Sequence, residues 1–155
     1  MAIFIALFII LQIILLIIIT LHDWVHLPPL TDIHTLEKHS SLRGRVINSA
    51  LFFLLVFIPL ALTIIYQPHF SRSVRIALLN FYGWMSLGTI ISWWIPYFFG
   101  GYSESYKAHF AEYKNTHHFL PARGTNIVPN TLHVLMHLLV WTCFGITLYI
   151  SFKIA

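Results

Sequence analysis

The chain has 155 residues, of which 58% are hydrophobic and only 9% charged, against roughly 25% charged in a typical soluble domain. No water-soluble fold of this length hides so much apolar surface, so a soluble globular domain is excluded. The formal charge is +4, but Lys and Arg are scattered through the connections rather than aligned on one face, which argues against a nucleic-acid partner and for lipid headgroup contacts.

The first apolar run, residues 3–20, is almost unbroken Ile, Leu and Phe with Gln12 as its polar interruption, close to the ~20 residues that cross ~30 Å of hydrocarbon. It lacks the basic start and small-residue cleavage site of a signal peptide and is expected to stay as a membrane helix. A second span is predicted over 46–66, with Pro59 in its interior, where the missing N–H usually bends a helix. A third, 74–99, carries Asn80, Gly83, Ser86, Gly88, Thr89 and Ser92. Small and polar residues let helices approach closely in lipid, so this span is expected at the bundle centre, with Gly88 and Ser92 as a small-xxx-small pair. Trp93, Trp94 and Tyr97 close it as an aromatic belt. The fourth span, 132–152, follows Pro129, Asn130 and Thr131, and Asn130 is placed to cap its first amides.

The fold class that follows is all-α: an integral membrane four-helix bundle, a single transmembrane domain over 1–155, with two longer loops, 21–45 and 100–130, on one side. The bilayer is its first partner and a multi-pass cell membrane protein its expected form. Lys38, Arg43, Arg45, Lys107, Lys114 and Arg123 lie in the long loops, against Arg72, Arg75 and Lys153 opposite. The positive-inside rule then puts the long loops in the cytoplasm and the termini outside. Cys143, the single cysteine, allows neither an internal disulfide nor a cysteine-paired zinc site.

Chemistry-bearing residues gather on the long-loop side. His22, His26, His34, His39, His109, His117 and His118 lie in those loops, His133 and His137 open the fourth span on that side, and only His69 lies opposite. All five carboxylates, Asp23, Asp32, Glu37, Glu104 and Glu112, share that side. His133 and His137 are four apart, which stacks two imidazoles on one helix stripe within reach of one metal ion. His117 and His118 are the further candidate ligands, and a transition metal is the cofactor such a donor set would take. Pro121, Gly124 and Pro129 restrict the third loop into a cap over the helix starts, where Arg123 and Asn126 offer donors to a ligand or a lipid headgroup.

The stretches WWIPYFFGG at 93–101, HFLPARG at 118–124 and PNTLHVLMH at 129–137 resemble a family of small bacterial four-span integral membrane proteins. The resemblance implies the membrane topology and a bacterial source, and it implies no activity. With no nucleophile beside a base, no phosphate loop and no acid pair placed for hydrolysis, the leading expectation is a non-enzymatic assembly or binding component. It would act as a homo-oligomer or with another membrane protein, and its histidine-rich loop face would be the contact or ligand surface. A metal, proton or small-solute conduit is the second reading, and a histidine-ligated membrane metalloenzyme the third.

Overall fold

The computed structural model describes residues 2–153, with the side chains of all but 105, 108, 109, 111 and 112. The side chains of His109 and Glu112, counted above on the long-loop face, therefore lie outside the described residues. Among the described residues all regular structure is helical. The order is α1 (Ala2–Leu21), α2 (Ile33–His39), α3 (Leu42–Tyr66), α4 (Arg72–Thr89), a π turn (Ile90–Trp94), α5 (Ile95–Phe99), α6 (Glu104–His109), a 3-10 turn (Phe110–Tyr113) and α7 (Thr131–Lys153). Four helices are long and apolar enough to cross a membrane: α1, α3, the continuous run Arg72–Phe99, and α7.

Side-chain caps set the starts. Ser41 accepts from the Gly44 amide at 3.1 Å, which opens α3 four residues before the apolar run alone suggests. Asn130 accepts from the His133 amide at 2.9 Å and opens α7 as its sequence position implies. Asp32 caps α2, a short helix that the first loop folds for itself. Pro59 sits inside α3 without interrupting it.

The spanning helices do not pack evenly. α1 lies against α3 and α7, α4 lies against α7, and α3 and α4 make the slightest of these four contacts although a short turn joins them. The bundle centre therefore falls on α7, whose most apolar window is 44% buried against 22–28% for the other spans. This corrects the expectation that the third span is central, and the small residues of α4 explain why. Gly83 admits the Phe144 ring of α7, 3.5 Å from where a Cβ would stand, but a Cβ on Gly88 would meet nothing within 4 Å. The small-xxx-small pair opens space instead of closing a helix contact.

Phe8, Leu15, Val56, Leu78, Tyr82 and Cys143 form the fully buried core, and the Phe8 and Tyr82 rings meet at 5.9 Å. Gln12, wholly buried, donates to the Thr63 hydroxyl at 3.0 Å, and Thr63 donates on to the Pro59 carbonyl at 2.8 Å. The outer face is Ile, Leu and Phe, including exposed Ile10, Ile17, Leu51, Leu54 and Ile65. A surface so apolar is stable only where lipid, not water, is the solvent.

Candidate ligand cavity between the third and fourth helices

Because α3 and α4 part as they leave their shared turn, a cavity of about 880 Å3 opens between them toward the long-loop end. Its sides are Phe52 and Leu55 of α3 and Phe81, Trp84, Met85 and Gly88 of α4, and Met136 and Val140 of α7 line it as well. Polar groups join the lining toward the loops: Arg45, Asn48, His22, Asp23, Ser92, His133 and His137. An apolar lining with a few converging polar groups is the usual make-up of a small-molecule site.

The roof depends on a helix irregularity. The Ile95 amide donates five residues back to the Ile90 carbonyl, a π-type bond. Pro96 has no N–H, so it serves neither the Ile91 nor the Ser92 carbonyl, the two that an amide at that position would reach in π or α geometry. Two tyrosines of the third loop supply the donors instead. Tyr102 gives its hydroxyl to Ile91 O at 2.8 Å and Tyr106 to Ser92 O at 3.1 Å, their rings stacked at 4.4 Å. Partial burial pushes the Tyr106 hydroxyl above its ordinary pKa, which keeps it a donor. Tyr106, Phe110 and Tyr113 are thereby held over the cavity.

The two long loops are pinned to each other above this roof. The His117 amide donates to Pro29 O at 2.7 Å, and the Thr131 amide to His117 O at 2.8 Å. Asn115 donates to Asp32 Oδ2 at 3.3 Å and to Thr35 Oγ1 at 3.1 Å. The Thr35 hydroxyl and amide hold the Asp32 carboxyl below the usual carboxylate range, so the clasp keeps its charged acceptor near neutral pH.

His133 and His137 are brought together, buried to 7% and 4% exposure, with ring centroids 6.2 Å apart. Trp93 covers them, 4.1 Å from His133 and 6.0 Å from His137. His22 joins them, 5.9 Å from His133. The Asn130 amide oxygen, fixed by the His133 backbone N–H, also lies 2.7 Å from His133 Nδ1, while its nitrogen donates to Thr116 Oγ1 at 2.9 Å. Nδ1 is therefore the protonated nitrogen of the neutral ring, and Nε2 holds the lone pair. His137 Nδ1 is buried with no partner among the described residues. A second space of about 20 Å3, bounded by His22, Asp23, Asn130 and His133, is large enough for one water molecule.

The other sequence candidates have local partners. His117 Nδ1 lies 2.7 Å from the Thr131 hydroxyl, and His118 Nε2 donates to Tyr113 O at 3.1 Å. Among the described residues no three His, Cys, Asp or Glu side chains converge as a metal ion requires. Arg123 lies over the Tyr97 and Phe98 rings at 5.3 and 5.0 Å. Asn126 donates to Tyr97 O at 3.0 Å and lies so close to Gly100, at φ 65°, that a Cβ there would stand 2.6 Å from its Oδ1. Trp93 and Tyr97, expected in an interfacial belt, instead bury on the inner face, at 9% and 3% exposure.

Arg45 was counted only as a loop charge, yet it is 8% exposed and lines the cavity. It donates to Asp23 O at 3.3 Å and to Glu37 at 3.1 Å. One signal for this site was present in the sequence: Pro96, shortly after Trp93 and Trp94, marks a helix that must be irregular where it meets the third loop. Compared with protein-family models, curated proteins and solved structures, the chain matches none.

Proposed function

We propose that the protein is a non-enzymatic, membrane-embedded binding component that takes up a lipid-soluble ligand sideways from the bilayer into the cavity between α3 and α4. The carrying observation is the cavity itself, which joins an apolar lining from the spanning helices to buried, partly unsatisfied polar groups beneath a fixed roof. Buried ionisable groups in a membrane are costly and call for a functional reason. A binding site supplies one for His133 and His137, and Trp93, which covers both, supplies a flat wall. The long-loop face, with its clasped loops, is proposed to lie in the cytoplasm and to be the surface presented to another chain or a second copy.

A conduit is less favoured because Phe8, Leu78, Tyr82 and Cys143, which do not line the cavity, pack into a core without exposed surface. The test is photolabelling in lipid nanodiscs with a twelve-carbon alcohol bearing a diazirine on its chain. Labelling at Met85, Met136 and Val140 should saturate, while labelling at outward residues such as Ile10 and Leu51 should rise in proportion to probe. Proportional labelling at both sets of positions would refute the reading.

A further inference from the structure

From the cavity proposed above as the ligand site, we infer the chemical class of its occupant: a neutral lipophile whose polar head is a hydroxyl on a flat ring, of the alkylphenol or quinol type. The inference rests on that binding reading and adds the hydrogen-bonding character of the head. Charge comes first. Arg45 and Asp23 both line the cavity, and each already has a side-chain partner within the protein, while Arg45 Nε stays buried without one among the described residues. Arg45 pairs with Glu37 at 3.1 Å, and Asp23 lies 3.1 Å from His22 Nε2. A charged head would have to compete with Glu37 for Arg45 or with His22 for Asp23, which leaves little to offset its removal from water.

The donor and acceptor pattern narrows the choice. Asn130 takes the His133 Nδ1 hydrogen, so His133 Nε2 can only accept. His137 has a buried nitrogen without a partner, and its neutral ring holds one N–H and one lone pair. A hydroxyl both donates and accepts through a single atom, so one oxygen can give its hydrogen to His133 Nε2 and receive an N–H of His137. A hydrogen-bonded oxygen sits about 4 Å from an imidazole centroid, given N···O near 2.8 Å. The 6.2 Å between the two centroids is then within the span of one oxygen with a near-tetrahedral arrangement. A ketone, ether or carboxylate offers acceptors only and has no hydrogen to give His133 Nε2.

The flat ring follows from Trp93, Phe110 and Tyr113 beside the histidines, and the chain from Phe52, Phe81 and Trp84 farther along the cavity. A second copy of this protein is a poorer occupant. Its outward surface is mostly Ile, Leu and Phe, which match the apolar length of the cavity but not its histidine end.

The test uses protein in nanodiscs with tritiated 4-dodecylphenol, corrected for uptake by empty nanodiscs, and three competitors: unlabelled phenol, its methyl ether 4-dodecylanisole, and dodecanoate. The phenol should bind saturably, and the ether and dodecanoate should compete at least about tenfold more weakly, as expected for the loss of a hydrogen bond to a histidine. His133→Leu should bring the phenol down to the level of the ether while leaving the ether unchanged. That unchanged ether affinity shows the variant to be folded, and should it not fold, the wild-type ratio decides alone. Equal affinity for phenol and ether, strongest binding by dodecanoate, or a preference that survives His133→Leu would overturn the head assignment while leaving the binding reading intact. No saturable binding of any probe would overturn both.

Discussion

The two ends of the bundle solve opposite problems with the same helices. Toward the termini, α1, α4 and α7 close on Phe8, Leu78, Tyr82 and Cys143, all without exposed surface. Toward the long loops, α3 and α4 stand apart and the space between them is lined by groups that lipid cannot satisfy. In a bilayer there is no hydrophobic drive to bring helices together, so dense packing has to hold the closed end. The open end relies on loop clasps, caps and the Pro96 irregularity, and it is free to be a site because the closed end carries the fold.

The sharpest way to break this contrast is to remove one phenylalanine from each end. Phe8→Ala, at the closed end, should cost about 3–5 kcal/mol, and Phe52→Ala, 42% exposed beside the cavity, less than about 1 kcal/mol, read as thermal stability in detergent. Comparable losses would mean that the cavity walls also hold the fold. Asn130→Ala removes the α7 cap and the partner of His133 Nδ1 together. A loss of about 2 kcal/mol is expected, with weaker selection for the phenol probe. A loss of stability with selectivity intact would separate the cap from the histidine. Tyr106→Phe strips the donor from Ser92 O and should cost about 1 kcal/mol, seen as faster amide exchange in the third loop with no change around Phe8. Gln12→Leu should be the mildest. It breaks one interhelical bond whose average worth in a membrane is about 0.6 kcal/mol, and Thr63 keeps its bond to Pro59 O.

The closed end and the open end were not equally legible in the sequence. Four spans and the shared side of the two long loops follow from apolar run length and helix count, and the structure has them within a few residues. The caps extended α3 back to Leu42, which hydropathy misses because Arg43 and Arg45 look like loop residues. The His133 and His137 pair was visible from its spacing alone, and the two rings do meet. Their surroundings were not visible. Trp93, His22 and Arg45 come from three other parts of the chain, and nothing local to any of them says which neighbours tertiary packing will supply. Gly88 shows the limit best. Its sequence signature suits a close helix contact, and only the divergence of α3 from α4 turns it into open space.

That residue also gives the most direct test of the account. Gly88→Phe places a ring in the cavity from a position where a Cβ meets nothing within 4 Å, and replacing a helical glycine should leave stability level or slightly raised. Wild type and variant would be titrated with 4-dodecylphenol in nanodiscs beside a thermal melt. An unchanged melt with affinity down at least about tenfold is the result predicted. An unchanged melt with wild-type affinity would contradict the claim that the space between α3 and α4 is where the ligand sits.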